Sequence, residues 1–185
     1  MKMKSILTAG LLALGIAAPA RAATFVDLSR SGSSESVANA TTGTQQAGFA
    51  VFSGVYNAGL WSGTAASFVN LNPAGATQSF AYATTGTQQA GYATIGGVSN
   101  AGIWSGTAAS FVNLQSVLGG GYTSSQARGV WDDGTTTYVS GYAQTSGGQG
   151  HAILWAVPDA APEPASAALL GLGTLLLAAR RRRSA

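Results

Sequence analysis

The chain has 185 residues, room for one domain rather than several. It contains no cysteine, which excludes a disulfide framework and thiol chemistry. Its net charge of +3 comes from the ends: Lys2, Lys4, Arg21 and the run Arg180, Arg181, Arg182 and Arg183 are basic, whereas residues 23–161 hold only Arg30 and Arg128 against Asp27, Glu35, Asp132, Asp133 and Asp159, so the body offers no basic face for nucleic acid.

Residues 1–22 read as a secretory signal. Lys2 and Lys4 give a positive start, residues 6–18 are apolar, and Ala20-Arg21-Ala22 places small residues at −3 and −1, which predicts cleavage after Ala22. The apolar run is shorter than the ~20 residues that a helix needs to span a membrane.

The body, residues 23–157, is built on a duplication. Residues 40–71 (ATTGTQQAGFAVFSGVYNAGLWSGTAASFVNL) recur as residues 83–114 (ATTGTQQAGYATIGGVSNAGIWSGTAASFVNL), 43 residues on, with only six of 32 positions changed. A period of ~40–45 residues marks a supersecondary unit that buries its apolar face only by stacking on neighbours. Repeats are expected at about 34–76, 77–121 and 122–157. In the second, strands are expected at 78–84, 90–95, 101–105 and 109–114, separated by Thr-Gly-Thr, Gly-Gly and Gly-Thr turns. The first opens with residues 34–38 (SESVA), read as a worn copy of residues 78–82 (QSFAY).

The third repeat is more diverged. Residues 125–130 match the first strand, residues 140–143 match Ala90-Gly91-Tyr92-Ala93, and His151-Ala152-Ile153-Leu154-Trp155 matches the segment ending at Trp104. Asp133-Gly134 is a hairpin signal ahead of a Thr-rich strand at 135–139. This repeat stops at Trp155 without the SGTAASFVNL strand. Residues 24–28 (TFVDL) resemble residues 67–71 (SFVNL), so they are expected to supply that strand and close the third unit, with Phe25 buried. The fold expected is all-β: three tandem four-stranded repeats of about 43–51 residues, propeller-like or three-sheet prism-like, flanked by hydrophobic helices at both termini. Three units are few for a propeller, which has ~4–8 blades, so an open stack or a ring completed by two chains also satisfies the pattern.

Residues 158–164 form a linker ending in Pro162-Glu163-Pro164. Residues 165–179 are apolar, a membrane-anchor segment about 22 Å long as a helix against a ~30 Å hydrocarbon core. Residues 180–185 form a basic tail that the positive-inside rule holds in the cytoplasm, leaving the body tethered on the outer face.

Few residues suggest chemistry. Trp61, Trp104 and Trp155 recur once per unit and read as core, with sugar stacking as the functional alternative. His151 is the single histidine and stands where the other repeats have Asn57 and Asn100, so a turn or capping role is expected and no metal site. Asp132 and Asp133 adjoin a hairpin glycine; neighbours on a strand point to opposite faces, so they do not form the facing pair of a glycosidase. No calcium loop, G-x-S-x-G elbow or phosphate loop is present. No cofactor and no catalytic residue is assigned, and the chain is read as a non-enzyme.

The tail, Pro162-Glu163-Pro164 followed by the apolar run and Arg180 to Arg183, resembles the PEP-CTERM sorting signal. That resemblance implies an exosortase-type protease as partner, a transient C-terminal membrane anchor, an inner-membrane-tethered intermediate, and then the cell surface or extracellular matrix of a Gram-negative bacterium. The body resembles HAF-type repeats, through His151 to Trp155 and the AGYA and SGTAASFVNL stretches, which implies a propeller-like fold with no common activity. Together they imply an exported structural or adhesive protein of the extracellular polysaccharide matrix, or alternatively a carbohydrate-binding module using the repeated tryptophans.

Overall fold

The computed structural model describes residues 22–159. The signal segment up to Arg21, the sorting residues from Pro162 onward and both flanking hydrophobic helices expected from sequence lie outside those residues. Within them the chain is all-β, folded as three antiparallel meanders. Sheet 1 holds β1 (Glu35–Thr41), β2 (Gln46–Phe52), β3 (Val55–Trp61) and β4 (Val69–Asn70). Sheet 2 repeats it with β5 (Ala76–Thr84), β6 (Gln89–Ile95), β7 (Val98–Trp104) and β8 (Val112–Asn113). Sheet 3 has only β9 (Tyr122–Asp132), β10 (Thr136–Thr145) and β11 (Gly150–Pro158).

Several sequence expectations need correction. The fourth strand of each complete unit is two residues long, because a 3₁₀ turn (Ala65–Ser67, Ala108–Ser110) consumes the Ala-Ala-Ser stretch before it. Ala76, placed at the end of the first repeat, opens β5. The register of β1 is one residue off the expected one: Val37 and Ala38, not their neighbours, take the positions of Phe80 and Ala81.

The expected closure is absent. Phe25 is 93% exposed and residues 22–30 form no strand. The three sheets stack in an open series, neither a closed prism nor a complete propeller. Sheet 1 packs against β5 and sheet 2 against β9. The physical reason is chain connection: residues 24–28 lead into sheet 1, where only Val26 to Ser29 border a groove with Val37, Ala38 and Trp61, and Phe25 stands clear of it. The segment therefore begins the stack beside sheet 1, away from the free edge of sheet 3.

Two apolar seams hold the stack. At the first, Ala47, Ala58 and Leu60 of sheet 1 and the following Leu71 pack with Ala81, Ala93 and Trp104. At the second, Ala90, Ala101, Ile103 and Leu114 pack with Ala127, Val139 and Trp155. The alanines allow close approach of the sheets, and one tryptophan per seam fills the remaining space. Large-to-small changes at such packed positions are costly because the cavity does not collapse.

The first strand of every sheet carries a bulge: register slips between Ala38 and Ala40, between Ala81 and Ala83, and at Arg128, where Gly129 pairs with Ser140 but Ala127 with Gly141. Asn39, Tyr82 and Arg128 are the extra residues. Opposite each bulge stands a glycine, Gly48, Gly91 or Gly141, whose absent Cβ would run into the bulged strand's carbonyl. Glycine is needed there because the bulge presses backbone against backbone.

Candidate functional site

The bulge residues link the sheets on the molecule's most aromatic strip. Asn39 Nδ2 donates to Ala81 C=O of sheet 2 at 2.8 Å. The Arg128 guanidinium of sheet 3 sits over the Tyr82 ring, Cζ 4.1 Å from the centroid, and 5.8 Å from that of Tyr142. Tyr82 is near-parallel to Tyr92 at 6.1 Å, Tyr92 to Phe80 at 5.1 Å, and Phe80 meets both Phe49 and Tyr56 at 5.1 Å. The strip thus crosses all three sheets and ends on a cation held by the ring faces. Burial, with the neighbouring Tyr82, pushes the Tyr92 hydroxyl up to about 12 despite Arg128. Sequence reading missed this strip because Phe49 and Tyr92 are repeat partners and Arg128 stands where Tyr82 does, but which of them meet across the sheets depends on the bulges.

The candidates named from sequence are scattered. Trp61, Trp104 and Trp155 are 0%, 0% and 5% exposed and so present no face to a sugar. Phe68 covers Trp61 at 5.1 Å and Phe111 covers Trp104 at 4.9 Å. These phenylalanines lie where Gly59 and Gly102 leave room; in sheet 3 the corresponding residue is Ile153, half-buried and packed against the cluster that holds Trp155. His151 is exposed on β11, edge-on to Tyr122 at 5.8 Å. It is on a strand, not in a turn as expected.

Asp132 and Asp133 shape the β9–β10 turn. Asp132 accepts the Gly134 N–H. Asp133 accepts from Thr135 N–H at 2.8 Å, Thr135 Oγ1 at 2.7 Å and Thr136 N–H at 2.8 Å. These bonds, the Thr135 hydroxyl foremost, hold the Asp133 carboxyl below its ordinary range. Gly134 supplies the positive φ of 88° that the turn requires. The two carboxylates are spent on backbone, as the sequence suggested. Among the described residues no group of three His, Cys, Asp or Glu side chains converges, and no helix is long and apolar enough to cross a membrane.

Two surface features remain. Trp131, 63% exposed, stacks on Tyr138 at 5.6 Å on the outward face of sheet 3. Beside the free edge of β11 runs a groove of about 510 Å³, walled by Val112, Leu114, Val117 and Leu118 on one side and by Ile153 and Leu154 on the other.

No curated protein and no solved structure matches the chain. Its tail does match a known family: residues 160–183 fit the PEP-CTERM protein-sorting motif, a span that takes in Pro162, Glu163, Pro164 and Arg180 to Arg183. Behind its three-sheet body the chain therefore carries the sorting signal of exported, surface-directed proteins that an exosortase processes.

Proposed function

We propose that this is a non-enzymatic scaffold protein of the cell surface or extracellular polysaccharide matrix of a Gram-negative bacterium. The body, related to HAF-type repeats, is the part that stays outside. The observation that carries the reading is the sorting motif at 160–183, placed after a body whose repeated tryptophans are buried and whose turn carboxylates are engaged in backbone bonds. In this reading Ala20 and Ala22 direct removal of the signal, residues 165–179 hold the chain in the inner membrane, and cleavage near Pro162-Glu163-Pro164 releases it.

Cell fractionation tests it. Replacing Pro162, Glu163 and Pro164 with alanine should leave full-length protein in the inner membrane, and normal release of that variant would overturn the sorting route. A second reading, carbohydrate binding, rests on the exposed Trp131–Tyr138 pair rather than on the buried tryptophans. Binding to the producer's polysaccharide that disappears in Trp131→Ala would favour it.

A further inference from the structure

The two seams of the stack are built from the same parts. At the first, the Leu71 N–H donates to Ala58 C=O at 2.8 Å and the Ala58 N–H donates to Ser79 Oγ at 2.9 Å. At the second, Leu114 N–H donates to Ala101 C=O at 2.8 Å and Ala101 N–H donates to Ser125 Oγ at 3.1 Å. In both, the tail leucine and the strand residue Leu60 or Ile103 are buried with the next sheet's tryptophan.

Each end of the stack carries one unmatched half of that seam. On sheet 3, Ala152 stands where Ala58 and Ala101 stand, and Leu154 where Leu60 and Ile103 stand. Leu60 and Ile103 are 5% and 4% exposed, but Leu154 is 68% exposed. On sheet 1, half-buried Leu28 lines a groove with Trp61, Val37 and Ala38, the residues that stand where Trp104, Phe80 and Ala81 stand beside the buried Leu71. Ser36 holds the position of Ser79 and Ser125, but its hydroxyl pairs with Ser33 Oγ at 3.0 Å instead of with a preceding sheet's N–H. The segment that should run along a preceding sheet is free: Phe25 and Val26 are 93% and 66% exposed.

We propose that a second copy of this chain completes the seam head to tail, adding its residues 24–28 as a fourth antiparallel strand on the free edge of β11. The register follows from Gly59 facing Asn70 and Leu60 facing Val69. Ile153 faces the incoming Asp27, and Leu154 faces the incoming Val26. The incoming Leu28 N–H reaches Ala152 C=O, and the Ala152 N–H reaches the incoming Ser36 hydroxyl. The groove of about 510 Å³ beside β11 is the space left by the strand that sheet 3 lacks. Ile153 has a side chain where Gly59 and Gly102 have none, so the incoming strand is held by its backbone ladder and by Leu28, and Phe25 adds little. An unpaired edge is a template for strand addition, and donor and acceptor surfaces that differ make a heterologous contact, which either closes or runs on. This assembly goes beyond the sorting reading and does not depend on how the tail is processed.

Cysteine cross-linking of the exported full chain tests it against a background free of native cysteine. The pair Asp27→Cys and Ile153→Cys corresponds to Asn70 and Gly59, a pair that exchanges no backbone bonds and brings Cα atoms to ~4.5 Å, within disulfide range. Mixing the two single variants under oxidation should give a linked dimer, with only background from either alone. Leu154→Asp or Val26→Asp in the linking pair should lower the yield about tenfold with the melting temperature unchanged, since both side chains are exposed in one chain. No dimer from the mixture would overturn the proposal. So would a double variant that links only within single chains, or a yield indifferent to both aspartates.

Discussion

The hydroxyl of Ser79 accepts the backbone N–H of Ala58 from the neighbouring sheet at 2.9 Å and donates to Asn72 Oδ1 at 2.7 Å. Ser79 is 0% exposed, so no water can replace it. Ser79→Ala strands the buried Ala58 N–H and frees the half-buried Asn72 oxygen, and should cost about 1–3 kcal/mol. Denaturant unfolding followed by circular dichroism measures it. Ser36→Ala, at the half-buried position that meets no preceding sheet, should change stability far less.

Gly91→Ala tests the bulge. The added methyl group would strike the Phe80 carbonyl and Ala81 Cα, both backbone atoms that cannot swing aside. The strand pair must shift or lose the bulge, and a cost of about 1–3 kcal/mol or more is expected. Gly141→Ala, which meets Gln126 and Ala127 in the same way, should behave alike. Equal stability of these variants to the parent protein would mean that the bulges are not fixed.

Trp104→Ala removes the largest side chain of the first seam, at 0% exposure, and should cost about 3–5 kcal/mol, enough to unfold a marginal body. Trp131→Ala, at an exposed ring, should leave the melting temperature nearly unchanged. Thermal unfolding of the two variants side by side separates a core role from a surface role.

How much of this could be read from the chain depended on the range of the interaction. The 43-residue period located two sheets, and β6, whose expected 90–95 became Gln89–Ile95, shifted by a single residue. Trp104 was readable as core because one tryptophan per unit suits packing. The likeness of TFVDL to SFVNL did not make a strand: residues 22–30 form none, and Leu28 is half-buried beside Trp61 where Leu71 is fully buried. The bulges were hidden because an extra residue leaves no composition signal beyond a glycine on the partner strand. The Arg128–Tyr82 contact depends on them and was hidden too.

Tyr92 gives the body an alkaline limit. Burial beside Tyr82 raises its hydroxyl from 10.0 to about 12. Between those values the unfolded chain has released the proton while the folded chain keeps it. The folded state then binds more protons, and stability falls as pH rises. Below pH 10 both states are protonated and the residue contributes no slope. The expected result is an unfolding midpoint flat near pH 9 on account of this group and falling between pH 10 and 12, with much of that fall absent in Tyr92→Phe. Phenolate absorbance should show one tyrosine that keeps its proton up to about pH 12. If Tyr92→Phe loses stability across pH 10–12 as steeply as the parent protein, the strip does not hold this hydroxyl in its neutral form.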